Sequence, residues 1–210
     1  APDVPAPLPA GSPPGCRAGA RPRRCGHRCS WEPMIASNWE RLNRLLTPAL
    51  IVRHVSDVTP EMLRAQGVRA VVTDLDNTIV PWHSEEVAEE VAAWLAGLRA
   101  ADIRVCIASN TRNFARLKRM AGTLEIECVP GNAGKPGTSG LRRALSLMAA
   151  EPGNAAMVGD QLFTDIVAGN RLGLFTVLVN PLSPREFIGT RLVSRNAERI
   201  LLRGSRARKG

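Results

Sequence analysis

Short apolar runs alternate with amphipathic segments along most of this chain, and that alternation limits the possible folds more than any other feature. Each run has the length and composition of a β-strand, and the segments between runs place apolar residues at helical spacing. The five predicted strands cover residues 69–75, 103–108, 126–129, 155–160 and 175–180. This alternation predicts a doubly wound α/β domain with a mostly parallel five-stranded sheet and helices on both faces.

Two of the predicted helices begin with residues typical of a helix N-terminus. Thr59 is a favourable N-cap, and Pro60 fits the first turn that follows it. Ser84 is predicted to cap the helix in "SEEVAEEVAAWLAGLRAAD", where Glu85 and Glu86 would complement the helix dipole.

The N-terminal residues 1–37 differ in composition from the rest of the chain. They are rich in Pro, Ala, Gly and Arg, and they contain too little apolar surface to offset the entropy of ordering, so we expect disorder. A zinc site is the alternative, because the segment supplies three thiols and one imidazole. These ligands would be Cys16, Cys25, His27 and Cys29.

The chain is strongly basic, with a formal net charge of +9 over 210 residues. This charge favours acidic partners, namely phosphorylated small molecules, nucleic acid or an anionic membrane surface. Nucleic acid is disfavoured because no aromatic stacking platform accompanies the charge. The folded domain is expected to cover residues 38–202, and residues 203–210 are expected to form a basic tail.

Neither a transmembrane segment nor a secretory signal is predicted. No apolar run approaches the roughly 20 residues that cross a bilayer, and the N-terminus has no apolar signal core. The five cysteines are scattered and odd in number, unlike a disulfide framework. These features predict a cytoplasmic protein, with peripheral membrane contact as an extension of that expectation.

Polar and charged residues follow four of the predicted strands. Ligand sites of doubly wound sheets lie beyond the carboxyl ends of the strands, so these residues should meet at one edge. They are Asp74, Asp76, Asn77, Thr78, Ser109, Asn110, Lys135, Asp160 and Asp165. Neighbouring carboxylates disfavour each other unless a cation or a proton lies between them, which favours a metal-assisted site over a solvated turn.

The motifs "DLDNT", "SN", "GKP" and "GDQLFTD" stand in this order at the strand ends. They resemble the four motifs of the haloacid dehalogenase superfamily of phosphatases. The wider region is similar to the YqeG family, a type IIIA subgroup, and best so in "VSDVTPEMLRAQGVRAVVTDLDNTIVPW" and "GDQLFTDIVAGNRLGLFTVLVNP". This resemblance implies a Rossmann-like phosphatase fold.

The resemblance implies a catalytic role for four residues. Asp74 resembles the nucleophile that forms an aspartyl-phosphate, and Asp76 the general acid that protonates the leaving oxygen and then activates water. Ser109 would donate to a phosphoryl oxygen, and Lys135 would neutralise charge on the equatorial oxygens.

The resemblance also implies a Mg²⁺ site, which hard carboxylate oxygens and retained waters suit. The ion would lie between Asp74 and Asp160, with the Asp76 carbonyl as a third ligand and Asp165 acting through water. Asp165 could equally be a helix N-cap, since it opens "DIVAGNRLG".

Three further residues are expected on the substrate side of the site. Asn77 and Thr78 would shape the turn and its backbone donors, and Asn110 would support the pocket. Residues 81–103 and 111–134 leave no room for the inserted cap domain of many relatives, so the site should be open to solvent. The resemblance implies that such an open site serves large substrates.

The flanks of the domain bear on the substrate. The C-terminal segment "FIGTRLVSRNAERILLRGSRARKG" is apolar and arginine-rich, which suits an anionic membrane surface. The alternative is a helix packed on the domain with a solvated basic face. The YqeG family is similar to mitochondrial phosphatidylglycerophosphatases, so we expect a Mg²⁺-dependent phosphatase of phosphatidylglycerophosphate. The alternatives are a phosphatase of a soluble metabolite and a non-catalytic partner of a GTPase or of ribosomal RNA.

Overall fold

A computed structural model describes residues 32–182 of the chain. Its strands are β1 (Leu50–Val52), β2 (Ala70–Thr73), β3 (Arg104–Ile107), β4 (Glu127–Cys128), β5 (Ala155–Gly159) and β6 (Phe175–Val179). Its α-helices are α1 (Glu32–Leu46), α2 (Pro60–Ala65), α3 (Glu89–Ala100), α4 (Phe114–Leu124), α5 (Ser139–Leu147) and α6 (Val167–Leu172). A π-helix, Leu162–Ile166, leads directly into α6.

The strands form one parallel sheet in the order β1-β6-β5-β2-β3-β4. The chain moves from β2 through β3 to β4 on one side, then returns to place β5 and β6 on the other side. The doubly wound α/β fold is therefore confirmed. The direction of winding reverses between β2 and β5, where such sheets bind their ligands.

The sheet has six strands within the described residues, one more than predicted. The additional strand, β1, contains three residues and pairs along only one side, with β6. A run this short lacks the alternating pattern that distinguishes a strand from a loop, and its pairing depends on a partner far along the chain.

Helices cover both faces of the sheet, and each face has its own apolar core. Alternate residues of β2 point to opposite faces, so Val71 packs with the buried residues of α3 and α4, whereas Val72 packs with those of α5 and α6. All four residues of β2 are fully buried. The central strand therefore provides a rigid base for the residues that follow it.

The helix starts were predicted with mixed success. Thr59 caps α2, with its hydroxyl oxygen accepting a hydrogen bond from the Met62 amide and Pro60 in the first turn, as predicted. The prediction that Ser84 caps α3 is wrong, because α3 begins at Glu89 after Ala88. The Ser84 hydroxyl instead accepts a hydrogen bond from the Glu86 amide in a local turn.

Several predictions concern parts of the chain outside residues 32–182. They include disorder or a zinc site in residues 1–31 and the basic membrane-binding segment at the C-terminus, and both stay predictions. Residues 32–37, which were also predicted to be disordered, instead belong to α1. No helix in the described part is long and apolar enough to span a membrane.

Candidate active site

The carboxyl ends of β2 and β5 lie side by side, and the candidate site is built on them. Thr73 pairs with Val158 in the register of the two strands. Asp74 and Asp160 follow within two residues of this pair, one from each strand. The sequence places them far apart, but the parallel pairing brings them to the same edge of the sheet.

Three carboxylates meet at this edge. Asp74, Asp160 and Asp165 are buried, and each offers one oxygen atom within 4.8 Å of the others. Asp160 Oδ1 is buried without a hydrogen-bond partner among the described residues. A buried carboxylate oxygen normally has a partner, so this atom and its two acidic neighbours fit a divalent cation.

Burial and mutual repulsion disfavour ionisation in this cluster. Burial raises the pKa of Asp160 to about 8, and the charges of Asp165 and Asp74 add to the shift. Burial also raises the pKa of Asp165, against the opposing effect of the Lys135 ammonium. Both shifts would be relieved by a cation bound between the carboxylates.

Asp165 reaches the site because Gly159 has no side chain. A Cβ atom on Gly159 would lie 2.7 Å from the Cβ of Asp165, a distance that real side chains do not tolerate. The alternative prediction that Asp165 is an N-cap is wrong, because Asp165 lies inside the π-helix that begins at Leu162. Its carboxylate instead accepts a hydrogen bond from the Gln161 amide at 3.1 Å.

Lys135 lies against two of the acidic residues. Its Nζ atom is 2.8 Å from Asp74 Oδ1 and 2.7 Å from Asp165 Oδ1, and the side chain is almost fully buried. Burial alone would lower the pKa of Lys135, but Asp165 and Asp74 raise it by more, so the ammonium stays charged. Lys135, the predicted counter-charge, therefore contacts Asp74, the candidate nucleophile.

Asn110 holds the backbone of Lys135 in place. Its side-chain amide donates to the Lys135 carbonyl at 2.8 Å, and its side-chain oxygen accepts from the Lys135 amide at 2.9 Å. These two bonds connect the loop after β3 to the loop after β4. Asn110 was predicted on the substrate side, and these bonds give it a supporting role there.

The remaining predicted residues also lie at this edge. Asn77 adopts a left-handed backbone with φ of 62°, and its amide donates to the Val80 carbonyl at 2.7 Å, which closes the turn after β2. Thr78 is buried, and Ser109 is buried beside Thr111, whose amide donates to the Ser109 hydroxyl oxygen.

One buried residue of the site was missed by the sequence analysis. Arg116, in the first turn of α4, places Nη1 2.9 Å from Asp76 Oδ1 and donates to Asp76 Oδ2 at 3.2 Å. Asp76 is not one of the three clustered carboxylates, and it forms an ion pair with this guanidinium. The chain has 28 Lys and Arg residues, and no local pattern singles out Arg116 among them.

An open cavity of about 310 Å³ lies over these residues. Asp74, Asp76, Ser109, Asn110 and Lys135 all line it, and its rim includes Trp82, Arg112 and Thr164. The structure thus brings the carboxylates of Asp74 and Asp76 and the ammonium of Lys135 together in one open cavity. Asp74 also belongs to the acidic cluster with Asp160 and Asp165.

Comparison with known proteins identifies the family of the chain. The family model described as mitochondrial PGP phosphatase matches residues 40–182. The chain belongs to this phosphatase family. It is also 33% identical over 161 residues to the protein named "Probable phosphatase YqeG" of Bacillus subtilis, covering 77% of this chain and 92% of that protein.

Two eukaryotic relatives of this family member are named phosphatidylglycerophosphate phosphatase 1. The chain is 30% identical to the one from Arabidopsis thaliana and 31% identical to the one from Chlamydomonas reinhardtii, over 68% and 66% of its length. It spans about half of these two relatives, covering 43% and 54% of them. Among solved structures, the cobalt-bound deoxy-D-mannose-octulosonate 8-phosphate phosphatase of Haemophilus influenzae matches with a TM-score of 0.45 and 18% identity, over 54% of this chain and 69% of that one.

The family assignment confirms the predicted resemblance to the haloacid dehalogenase phosphatases and to the YqeG family. The chain is a phosphatase of phosphate monoesters. The acidic cluster indicates that its site holds a divalent metal ion.

Proposed function

We propose that this family member is a Mg²⁺-dependent phosphatase that removes the terminal phosphate of phosphatidylglycerophosphate through an aspartyl-phosphate. The observation that carries the chemistry is the buried cluster in which Lys135 contacts Asp74 beside Asp160 and Asp165. The names of the two eukaryotic relatives support the lipid substrate.

The residues at the cavity supply the two half-reactions. An oxygen of Asp74 attacks phosphorus while Asp76 gives a proton to the departing alcohol oxygen, so the P–O bond to the lipid breaks as the bond to Asp74 forms. Asp76 then takes a proton from a water molecule, which attacks the phosphorus of the aspartyl-phosphate. This step releases phosphate and restores Asp74.

The cationic groups would stabilise the charge on the transferred phosphoryl group. Lys135 is close enough to Asp74 to contact an equatorial oxygen of that group, and Ser109 lines the same cavity with its hydroxyl. Asp74, Asp160 and Asp165 would hold Mg²⁺, which suits carboxylate oxygens and supplies electrostatic stabilisation of the phosphoryl oxygens.

Exposed aromatic side chains on the side of the sheet that carries the site support a lipid substrate approached at a membrane surface. Trp82, Phe114 and Phe163 are 46%, 48% and 62% exposed, and all three follow strands at the edge that carries the site. Aromatic side chains partition favourably into the interfacial region of a bilayer. Arg112, which lines the rim, adds a positive charge that suits anionic headgroups.

The test is phosphate release from phosphatidylglycerophosphate in anionic liposomes with Mg²⁺, beside a soluble aryl phosphate and an Asp74→Asn control. We expect turnover of the lipid far above that of the soluble ester, and none by the variant. Turnover confined to the soluble ester would contradict the lipid as the substrate and favour a soluble phosphorylated metabolite in its place. If Asp74→Asn were as active as the wild type, the mechanism through an aspartyl-phosphate would be contradicted.

A further inference from the structure

A buried arginine lies behind the candidate acid, outside the cavity. Arg116 is 5% exposed, and its guanidinium contacts both carboxylate oxygens of Asp76. The other terminal nitrogen, Nη2, donates to the backbone carbonyl of Ser84. Arg116 does not line the cavity, so it would act on a substrate only through Asp76.

Burying a guanidinium is unfavourable unless its partners are well placed. Hydrophobic neighbours on α4, such as Leu117 and Met120, show that an apolar residue could pack in this region. The arginine is instead paired with the one carboxylate of the cavity that lies outside the metal-binding cluster. This pairing is hard to explain by stability alone.

The contacts fix the direction of the Asp76 side chain. Arg116 approaches one side of the carboxylate, and the His83 amide donates to Oδ1 at 3.3 Å. The Ser84 contact connects the same guanidinium to the segment after β2. Two consecutive parts of the 76–84 segment are therefore fixed relative to α4.

We propose that Arg116 is a positioning residue that orients Asp76 toward the leaving-group oxygen of the phosphate ester. This inference rests on the proposed function, because it assigns Asp76 the proton transfer. The orientation of Asp76 matters most when the departing alcohol needs a proton. An alkyl alcohol needs one, whereas an acidic nitrophenol does not.

The decisive experiment measures kcat/KM for Arg116→Gln on soluble phosphate esters whose leaving groups run from p-nitrophenol through phenol to a primary alcohol. The parameter kcat/KM reports the first phosphoryl transfer, when the leaving group departs. We expect a loss of about 100-fold for the alkyl ester and less than about fivefold for the nitrophenyl ester. Asp76→Asn should show the same dependence on the leaving group.

Arg119→Gln is the matched control. Arg119 lies on the same helix and pairs with Glu85 at 2.5 Å, but this pair is exposed and outside the cavity. We expect its kcat/KM to match the wild type for every ester. Arg116→Lys should recover part of the alkyl-ester rate, because an ammonium can contact one oxygen of Asp76 but not both.

A double-mutant cycle separates positioning from loss of structure. Arg116→Gln should have no further effect on alkyl-ester turnover when Asp76 is already Asn, because its effect passes through that carboxylate. An equal loss on all esters, or a full additional loss in the Asp76→Asn background, would overturn the positioning role. Phosphatidylglycerophosphate, itself an ester of a primary alcohol, is assayed in parallel, and failure of the wild type to turn over this lipid and every soluble ester would overturn the proposed function and, with it, this inference.

Discussion

Asp160 is a carboxylate of the acidic cluster whose ionisation is strongly disfavoured. Its carboxylate has a pKa of about 8, raised first by burial and then by Asp165 and Asp74, against an ordinary value of 3.8. The pKa of Asp160 is higher in the folded protein than in the unfolded chain. The protonated carboxyl group therefore makes its full contribution to folding stability below about pH 4. That contribution is lost as the pH rises through about 8.

This shift predicts that Mg²⁺ binding strengthens with pH. A cation needs the ionised carboxylate, so binding below pH 8 releases a proton, and the affinity should rise up to about tenfold per pH unit between pH 6 and pH 8. Titration calorimetry at three pH values measures this directly. Asp160→Asn should remove most of the binding and its pH dependence. Equal affinity at pH 6 and pH 8 in the wild type would contradict the shift.

Gly159 is predicted to be indispensable for the position of Asp165. Gly159→Ala should push the carboxylate away from the site and strain the turn after β5, at a cost of about 1–3 kcal/mol of unfolding free energy. We expect the variant to lose both Mg²⁺ binding and turnover.

Gly153→Ala is a suitable comparison, because nothing lies within 4 Å of its added methyl group. It should keep the wild-type affinity and melting temperature. Wild-type Mg²⁺ affinity in Gly159→Ala would mean that the backbone moves to accommodate the methyl group and that Asp165 stays in place.

At the scale of elements, local patterns predicted most of the fold. The strands that carry the site, β2, β3 and β5, are long apolar runs, and their polar ends could be located before any pairing was known. The edge strand β1 could not be recognised, because a three-residue strand is defined by its partner. Ser84 is a residue type that favours a helix N-cap, but residue type alone does not reveal that the helix begins only at Glu89.

The site shows the same difference between features set by local sequence patterns and features set by long-range contacts. Asp74, Asp76 and Lys135 stand in motifs with fixed spacing, so the sequence predicted that they would meet. The pairing of Arg116 with Asp76 joins residues 40 positions apart and depends on how α4 packs against the sheet. A long-range contact of this kind has no signature in local sequence.

The link between α1, β1 and α6 provides an element-scale prediction. The Asn170 side-chain amide donates to the carbonyls of Arg44, Leu45 and Thr47, and its oxygen accepts from the Thr176 hydroxyl at 2.9 Å. Asn170→Ala would leave these carbonyls without that donor, at a cost of about 1–3 kcal/mol. We expect faster amide exchange in residues 44–52.

Turnover of a soluble aryl phosphate should change little in Asn170→Ala, because this network lies away from the cavity. Thr176→Val keeps the shape of the side chain and removes only the hydroxyl, so it should reproduce part of the exchange effect. Uniformly faster exchange throughout the sheet would show that the network stabilises the whole domain rather than this edge.

At the scale of the whole molecule, the basic charge and the exposed aromatic residues predict how the protein meets its substrate. Replacing Phe114 and Phe163 together by Ser removes exposed apolar area from the segments that follow β3 and β5 without changing the residues that line the cavity. We expect binding to anionic vesicles to weaken about tenfold or more, because two buried aromatic contacts contribute more than 1.4 kcal/mol. Sedimentation with vesicles of phosphatidylglycerol measures this change.

Leu147→Ser is the matched control for that double variant. Leu147 is 46% exposed, similar to Phe114, but it ends α5 at the opposite edge of the sheet. Its replacement should leave vesicle binding unchanged, and both variants should turn over a soluble aryl phosphate normally. Equal vesicle binding by the aromatic double variant and the wild type would place membrane contact elsewhere on the protein.

The neighbouring positions of β2 and β5 also have a consequence for how the enzyme becomes active. Asp74 is made early during synthesis, whereas Asp160 and Asp165 follow only after β3, β4 and their helices. The acidic cluster cannot exist until β5 has inserted beside β2, one of the later and most sequence-distant pairings in the sheet. A chain in which β5 has not paired with β2 therefore lacks the assembled acidic cluster, and cation binding reports that this pairing has formed.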